Sequence, residues 1–184
     1  MVKIRESKKS FVSWCLIGIL LIVAWVLMSA PQAEAKTVKA KFRVVSYLAK
    51  LEWSPVGDVE GHIIGFYSRR GLIFFENGEV ATYSNRGTFD STKGHSSWEG
   101  YGLVTYEDGS TTLSKTQGTS TPIEGTKLKT GKGTGEYIKG TGRFEGIKGT
   151  LSFTGRRLMP FSKKTGTRGD SYYDVTATYT LPSK

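Results

Sequence analysis

One cysteine and two histidines in 184 residues remove two common ways of holding a small protein together. Cys15 has no partner for an intrachain disulfide, and His62 and His95 have neither a cysteine nor a second ligand at zinc-binding spacing. After Pro31 no stretch repeats apolar residues at helical spacing over a dozen positions, which excludes helical bundles. The run Gly131-Lys132-Gly133-Thr134-Gly135 lacks the strand, helix and spacing of a phosphate-cradling loop. No catalytic motif is present and no residue pattern requires a cofactor. A chain without these devices must hold itself together by burying apolar surface.

What is there begins with an address. Lys3, Arg5, Lys8 and Lys9 precede an apolar run over residues 11–30 that ends at Pro31, and Ala33-Glu34-Ala35 offers the small residues a signal peptidase accepts. The expectation is an export signal over residues 1–35, cleaved between Ala35 and Lys36. The competing reading is an uncleaved anchor, because twenty apolar residues are just long enough to span a bilayer. Both readings place residues 36–184 outside the cytoplasm, in the periplasm or secreted, with the basic flank retained inside. Cys15 lies in the apolar run without the small neighbours that lipid attachment needs, and reads as an ordinary apolar residue.

Residues 36–184 form one expected domain of 149 residues, long enough to bury roughly two-thirds of its unfolded surface. It carries 22 basic and 14 acidic residues, a net charge of +8. That balance favours an anionic partner, and export makes an envelope surface a better candidate than nucleic acid.

Period-two alternation dominates this domain. Val38, Ala40, Phe42 and Val44 share one face of a strand whose other face is Lys39, Lys41 and Arg43, and Tyr173, Val175, Ala177, Tyr179 and Leu181 alternate with polar residues at the far end. Asn77-Gly78 and Asp108-Gly109 between apolar stretches mark tight hairpins. Strands are expected over 38–44, 60–67, 72–75, 79–83, 101–106, 111–115, 135–139, 147–154 and 173–181. The polar stretches 85–97 and 160–170 read as rim loops. The fold class is therefore all-β, a small antiparallel closed barrel of about eight strands, which removes the exposed edges a soluble sheet must otherwise protect.

The most informative stretch is Gly140-Thr141-Gly142-Arg143-Phe144-Glu145-Gly146-Ile147-Lys148-Gly149. Gly140, Gly142, Gly146 and Gly149 allow the sharp turns and close approaches that a Cβ forbids, and they deliver Phe144 to a fixed place, read as an apolar plug at one end of the barrel. Glu145 in this turn can accept backbone N–H groups or pair with Arg143.

This run, followed by Pro160-Phe161 and an alternating Tyr/Thr strand, resembles the allene oxide cyclase-like barrel superfamily, which includes the plant dirigent proteins. The resemblance covers roughly the last fifty residues, and Tyr106 to Gly118 is similar to the middle of related bacterial barrels. It implies an eight-stranded barrel with an apolar cavity that holds a hydrophobic intermediate while it cyclises or couples. No catalytic residue carries over.

The expected function is binding of a small apolar or amphipathic ligand, with His62, Phe66, Tyr101 and Tyr173 as candidate ligand contacts. Phe74 and Phe153 are further candidates for the cavity lining. Glu60 and His62 are two apart and would share a strand face, where the carboxylate orients the imidazole. Trp53 and Trp98 are expected to anchor the barrel ends. Two alternatives stay open: a cyclase-type isomerase or lyase using the same cavity, and a solid-core structural or interaction protein.

Overall fold

Eight antiparallel strands close on themselves in a computed structural model that describes residues 36–162 and 164–183. The expected export signal or anchor over residues 1–35, with its cleavage point before Lys36, lies outside the described residues. The strands are β1 (Lys36–Pro55), β2 (His62–Phe75), β3 (Val80–Thr92), β4 (His95–Thr105), β5 (Thr111–Pro122), β6 (Lys129–Thr141), β7 (Lys148–Arg157) and, after the two-residue strands β8 (Phe161–Ser162) and β9 (Thr167–Arg168), β10 (Ser171–Leu181). Around the barrel the order is β1-β10-β7-β6-β5-β4-β3-β2, and β8 pairs with β9 as a separate ribbon.

Alternation decides which side chains face inward. On β1 Phe42, Val44, Ser46 and Leu48 point into the barrel and Lys39, Lys41 and Arg43 point out, while a bulge between Leu48 and Lys50 bends the strand. Pairing leads from Val44 through Tyr173, Gly155, Gly131, Ser120, Ser96, Ser91 and Ile63, and returns to β1 at Pro55. That displacement along one strand is the shear of the closed sheet, and it sets the strands at a slant to the barrel axis.

The Asn77-Gly78 and Asp108-Gly109 hairpins form as expected. Asn77 Oδ1 accepts the Glu79 N–H at 3.1 Å, Asp108 Oδ1 accepts the Ser110 N–H at 2.9 Å, and both glycines have left-handed backbone. Residues 85–97 are not a loop. They complete β3 and begin β4, and the reversal is confined to Lys93 and Gly94, both at positive φ. The strands expected at 60–67 and 72–75 are one strand, β2, which begins at His62 after a turn at Glu60 and Gly61 and is continuous through Arg69. Within the expected loop at 160–170 lie the short strands β8 and β9, which pair with each other and not with the barrel.

Glycines shape the wall. Gly118 pairs with Trp98 and Gly133 pairs with Phe153, and the two rings stack with centroids 5.7 Å apart. A Cβ on Gly118 would stand 2.6 Å from Trp98 Cζ2, and one on Gly133 would stand 2.6 Å from Phe153 Cζ. The missing side chains let two large rings lie flat against the inner wall, a pairing that also stiffens the glycine backbone.

Candidate functional site

The two ends of the barrel differ in chemistry. At one end Phe144 is 7% exposed, and its ring meets Tyr106 at 4.5 Å and Tyr179 at 6.3 Å. Tyr106 stacks on Phe75 at 5.6 Å, and Phe75 packs on Phe42 at 5.0 Å. Arg143 covers this cluster from outside, with its guanidinium 4.8 Å from the Tyr106 ring centre and 4.9 Å from that of Phe144. Its ion-pair partners are Glu79 and, at 3.6 Å, Asp108 rather than the adjacent Glu145. Gly142 and Gly146 adopt left-handed backbone on either side of the short 3-10 turn Gly142–Phe144, which is how the chain turns inward to seat the ring.

Beyond this closed end lies a cavity of about 270 Å³ bounded by inward-facing side chains of all eight strands. One part of its wall is apolar: Val104, Leu151, Val175, Trp98 and Phe153. The other part carries Ser46, Ser91, Ser96, Asn85, Arg69, Lys129 and Arg157. Among the described residues no Asp or Glu lines it. Several inward hydroxyls are already committed to backbone carbonyls: Ser114 to Gly102 at 3.4 Å, Thr116 to Gly100 at 3.2 Å and Tyr67 to Glu99 at 3.4 Å. Burial pushes the Tyr83 hydroxyl up to about 12, and raises Tyr67 and Tyr137 further above the ordinary tyrosine range.

Arg69 is the most constrained of the basic groups. Its Nε donates to Ser46 Oγ at 3.1 Å, and its Nη2 donates to the carbonyls of Ser46 at 3.3 Å and Gly169 at 3.2 Å and to Ser171 Oγ. All four acceptors are neutral. Lys129 Nζ donates to Ser96 Oγ at 3.4 Å, and that hydroxyl donates in turn to Ser91 Oγ at 2.9 Å. Burial lowers the Lys129 pKa, and nearby Arg157 lowers it further. Arg157 is likewise lowered by burial and then by Arg69.

The expected ligand contacts separate. Tyr173 and Phe153 line the cavity with rings edge to face at 5.8 Å. Phe66 and Tyr101 do not: they sit on the outer face, 36% and 52% exposed, and Phe74 is on the outer face with them. The reason is strand parity, since Tyr67 points inward and its neighbour Phe66 must point out. His62 shares that outer parity and is bound to Asp58 and Asp90 instead of Glu60, with Nδ1 2.6 Å from Asp58 Oδ1 and Nε2 3.1 Å from Asp90 Oδ1. The Asp58 hydrogen bond raises the His62 pKa against a smaller desolvation effect. Trp98 belongs to the inner wall and Trp53 stays largely exposed.

A broader depression of about 1940 Å³ includes Ile64, Phe66 and Phe74 among its walls. Its border joins outward-facing residues such as Phe66 and Phe74 to Phe42, Phe89, Trp98, Phe153 and Val175, which also line the inner cavity. The basic residues of the inner cavity were not among the sequence candidates. Their signal is parity, because an arginine at the inward position of an otherwise apolar strand breaks the alternation.

No protein-family model matches the chain, and no curated protein matches it. Among solved structures it is similar to a protein of unknown function of the DUF3224 family from Shewanella oneidensis. The identity is 17%, the match covers 82% of this chain and 100% of that one, and the TM-score is 0.39.

Proposed function

We propose that this barrel is an exported binding protein that carries one small amphipathic molecule inside the sheet. The observation that supports it is the inner cavity of about 270 Å³, whose wall passes from aromatic and aliphatic side chains to hydrogen-bonding ones. Taking a water's share of liquid volume as ~30 Å³ per heavy atom, the space suits an occupant on the order of ten non-hydrogen atoms. An eight-stranded barrel is the size at which side chains either fill the interior or leave room for one small ligand. The resemblance to the allene oxide cyclase-like superfamily points the same way.

Binding is favoured over turnover by the state of the inward polar groups. A cyclase-type reaction that moves a proton needs a donor or acceptor tuned near neutrality. Here Ser114, Thr116 and Tyr67 donate to backbone, and Tyr67, Tyr83 and Tyr137 are pushed away from neutrality. Lys129, lowered by burial and by Arg157, is the exception, and it stands among cations with no proton acceptor among the described residues better than the Ser96 hydroxyl beside it. Lys39 and Lys41 on the outside of β1 suit contact with an anionic envelope surface, and this belongs to the same proposal.

Native mass spectrometry of the protein purified from its host, with thermal-shift measurements over apolar and amphipathic small molecules, tests this. A carried mass or a concentration-dependent rise in Tm is expected. Neither appearing across the panel would overturn it.

A further inference from the structure

We propose that the occupant is a small carboxylic acid, its apolar body on the aromatic wall and its carboxylate held among Arg69, Arg157 and Lys129. This rests on the binding function proposed above and names the class of ligand.

The first ground is charge. Three cationic side chains line one cavity whose lining, among the described residues, contains no acid. Of the six described arginines outside the cavity, Arg43 pairs with Asp174 at 2.7 Å and Arg143 with Glu79, while Arg156 and Arg168 lie over tyrosine rings at the surface; the cavity arginines have neither a carboxylate nor bulk water around them. Partly buried like charges without a counter-ion raise the energy of the fold, and an anion entering the cavity relieves that cost.

The second ground is convergence. Ser171 stands opposite Arg157 in the register of β10 and β7, and the same serine accepts from Arg69. Thr130 pairs with Arg156, so the next residues along, Lys129 and Arg157, meet where β6 adjoins β7. The closed sheet thus brings basic groups from β2, β6 and β7 to one side of the interior.

The third ground is availability. Arg69 is pinned through Nε and Nη2, and its Nη1 makes no hydrogen bond among the described residues. The side chain of Arg157 makes no hydrogen bond or ion pair among the described residues, and Lys129 has only the long contact to Ser96. A guanidinium held in place with free N–H groups suits the planar, two-oxygen geometry of a carboxylate. A phosphate monoester would take up about half of an occupant on the order of ten heavy atoms and leave little body for the aromatic wall.

The test measures binding by calorimetry to octanoate, benzoate and cinnamate, each against the matching neutral alcohol, using the full chain. At least one acid should bind about tenfold or more tightly than its alcohol. Arg157→Gln and Lys129→Met should each reduce acid binding several-fold more than alcohol binding, so that the preference shrinks or disappears. Because Arg157 supports no other group, R157Q should keep or raise the ligand-free Tm and lose only the acid-induced shift, whereas a merely structural arginine would lower the ligand-free Tm. Equal affinity for acids and alcohols would overturn the carboxylate assignment and leave the binding function standing. A panel in which neither acids nor alcohols bind would overturn both.

Discussion

Phe144 and Tyr106 meet ring to ring, 4.5 Å between centres, and Arg143 from the same turn lies over both. Shortening Phe144 to alanine therefore opens a hole under a charged lid as well as removing apolar surface. Phe144→Ala should cost about 3–5 kcal/mol, the range for deleting a buried ring. In a domain of this size that is a fall in Tm of roughly ten degrees or more. Phe144→Leu, which keeps most of the volume, should cost far less. Thermal denaturation of the two variants side by side checks this, and equal small losses would mean that Phe144 does not close the barrel.

Gly118 gives a second prediction. A methyl group there would stand 2.4 Å from the Lys132 carbonyl and 2.6 Å from Trp98, so either the strand or the indole must move. Gly118→Ala should cost about 1–3 kcal/mol, the usual range for overpacking, despite alanine's more restricted unfolded state. Near-UV circular dichroism should also change, because the Trp98–Phe153 stack is disturbed. An unchanged spectrum at unchanged Tm would remove the steric reason for the glycine.

The sequence made the ends of the fold legible and hid its middle. The first and last strands alternate apolar with polar residues, and Asn77-Gly78 and Asp108-Gly109 announce their hairpins, so these elements follow from local chemistry. Residues 85–97 looked like a loop because the inward positions Asn85, Gly87 and Ser91 are small or polar and leave Phe89 as a single apolar residue among them, too little to show alternation. β2 looked like two strands for a related reason: Arg69 occupies an inward position. The break in the pattern is the same arginine that lines the cavity. Phe66 and Tyr101 failed as cavity residues because aromatic character says nothing of which face a side chain takes, whereas counting by twos from Tyr67 would have placed Phe66 outside.

His62 ties the chain around Asp58 to β3 through its two ring nitrogens, and this tie depends on pH. Its folded pKa is raised from 6.5, chiefly by the hydrogen bond to Asp58, so its contribution is fully present below 6.5 and is lost as pH rises through the higher folded value. Asp58 is lowered from 3.8, first by the Val59 N–H and then by His62, so its contribution is present above 3.8 and is lost as pH falls through the lower folded value. Stability from the pair should therefore be greatest between these two ordinary values. His62→Gln should flatten the alkaline limb of a Tm–pH profile and leave the rest of the curve parallel to the parent. A parent profile already flat through neutrality would show that the tie contributes nothing.

The inner cavity and the outer depression make opposite demands on substitution. Val104 faces the cavity and packs at the edge of the apolar core, so Val104→Phe places added volume where a ligand would lie. Because the ring enters existing space, the variant should fold, with a stability change below the about 1–3 kcal/mol typical of overpacking a filled core. Affinity for any small molecule the parent binds should fall at least tenfold. Phe66→Ser changes a side chain that borders the broader depression and does not line the inner cavity, so its affinity should equal the parent's. The reverse pattern, in which F66S loses binding and V104F keeps it, would move the site to the outside of the sheet. The basic cluster around Arg157 would then need another explanation, because its side chains face the side of the wall away from the ligand.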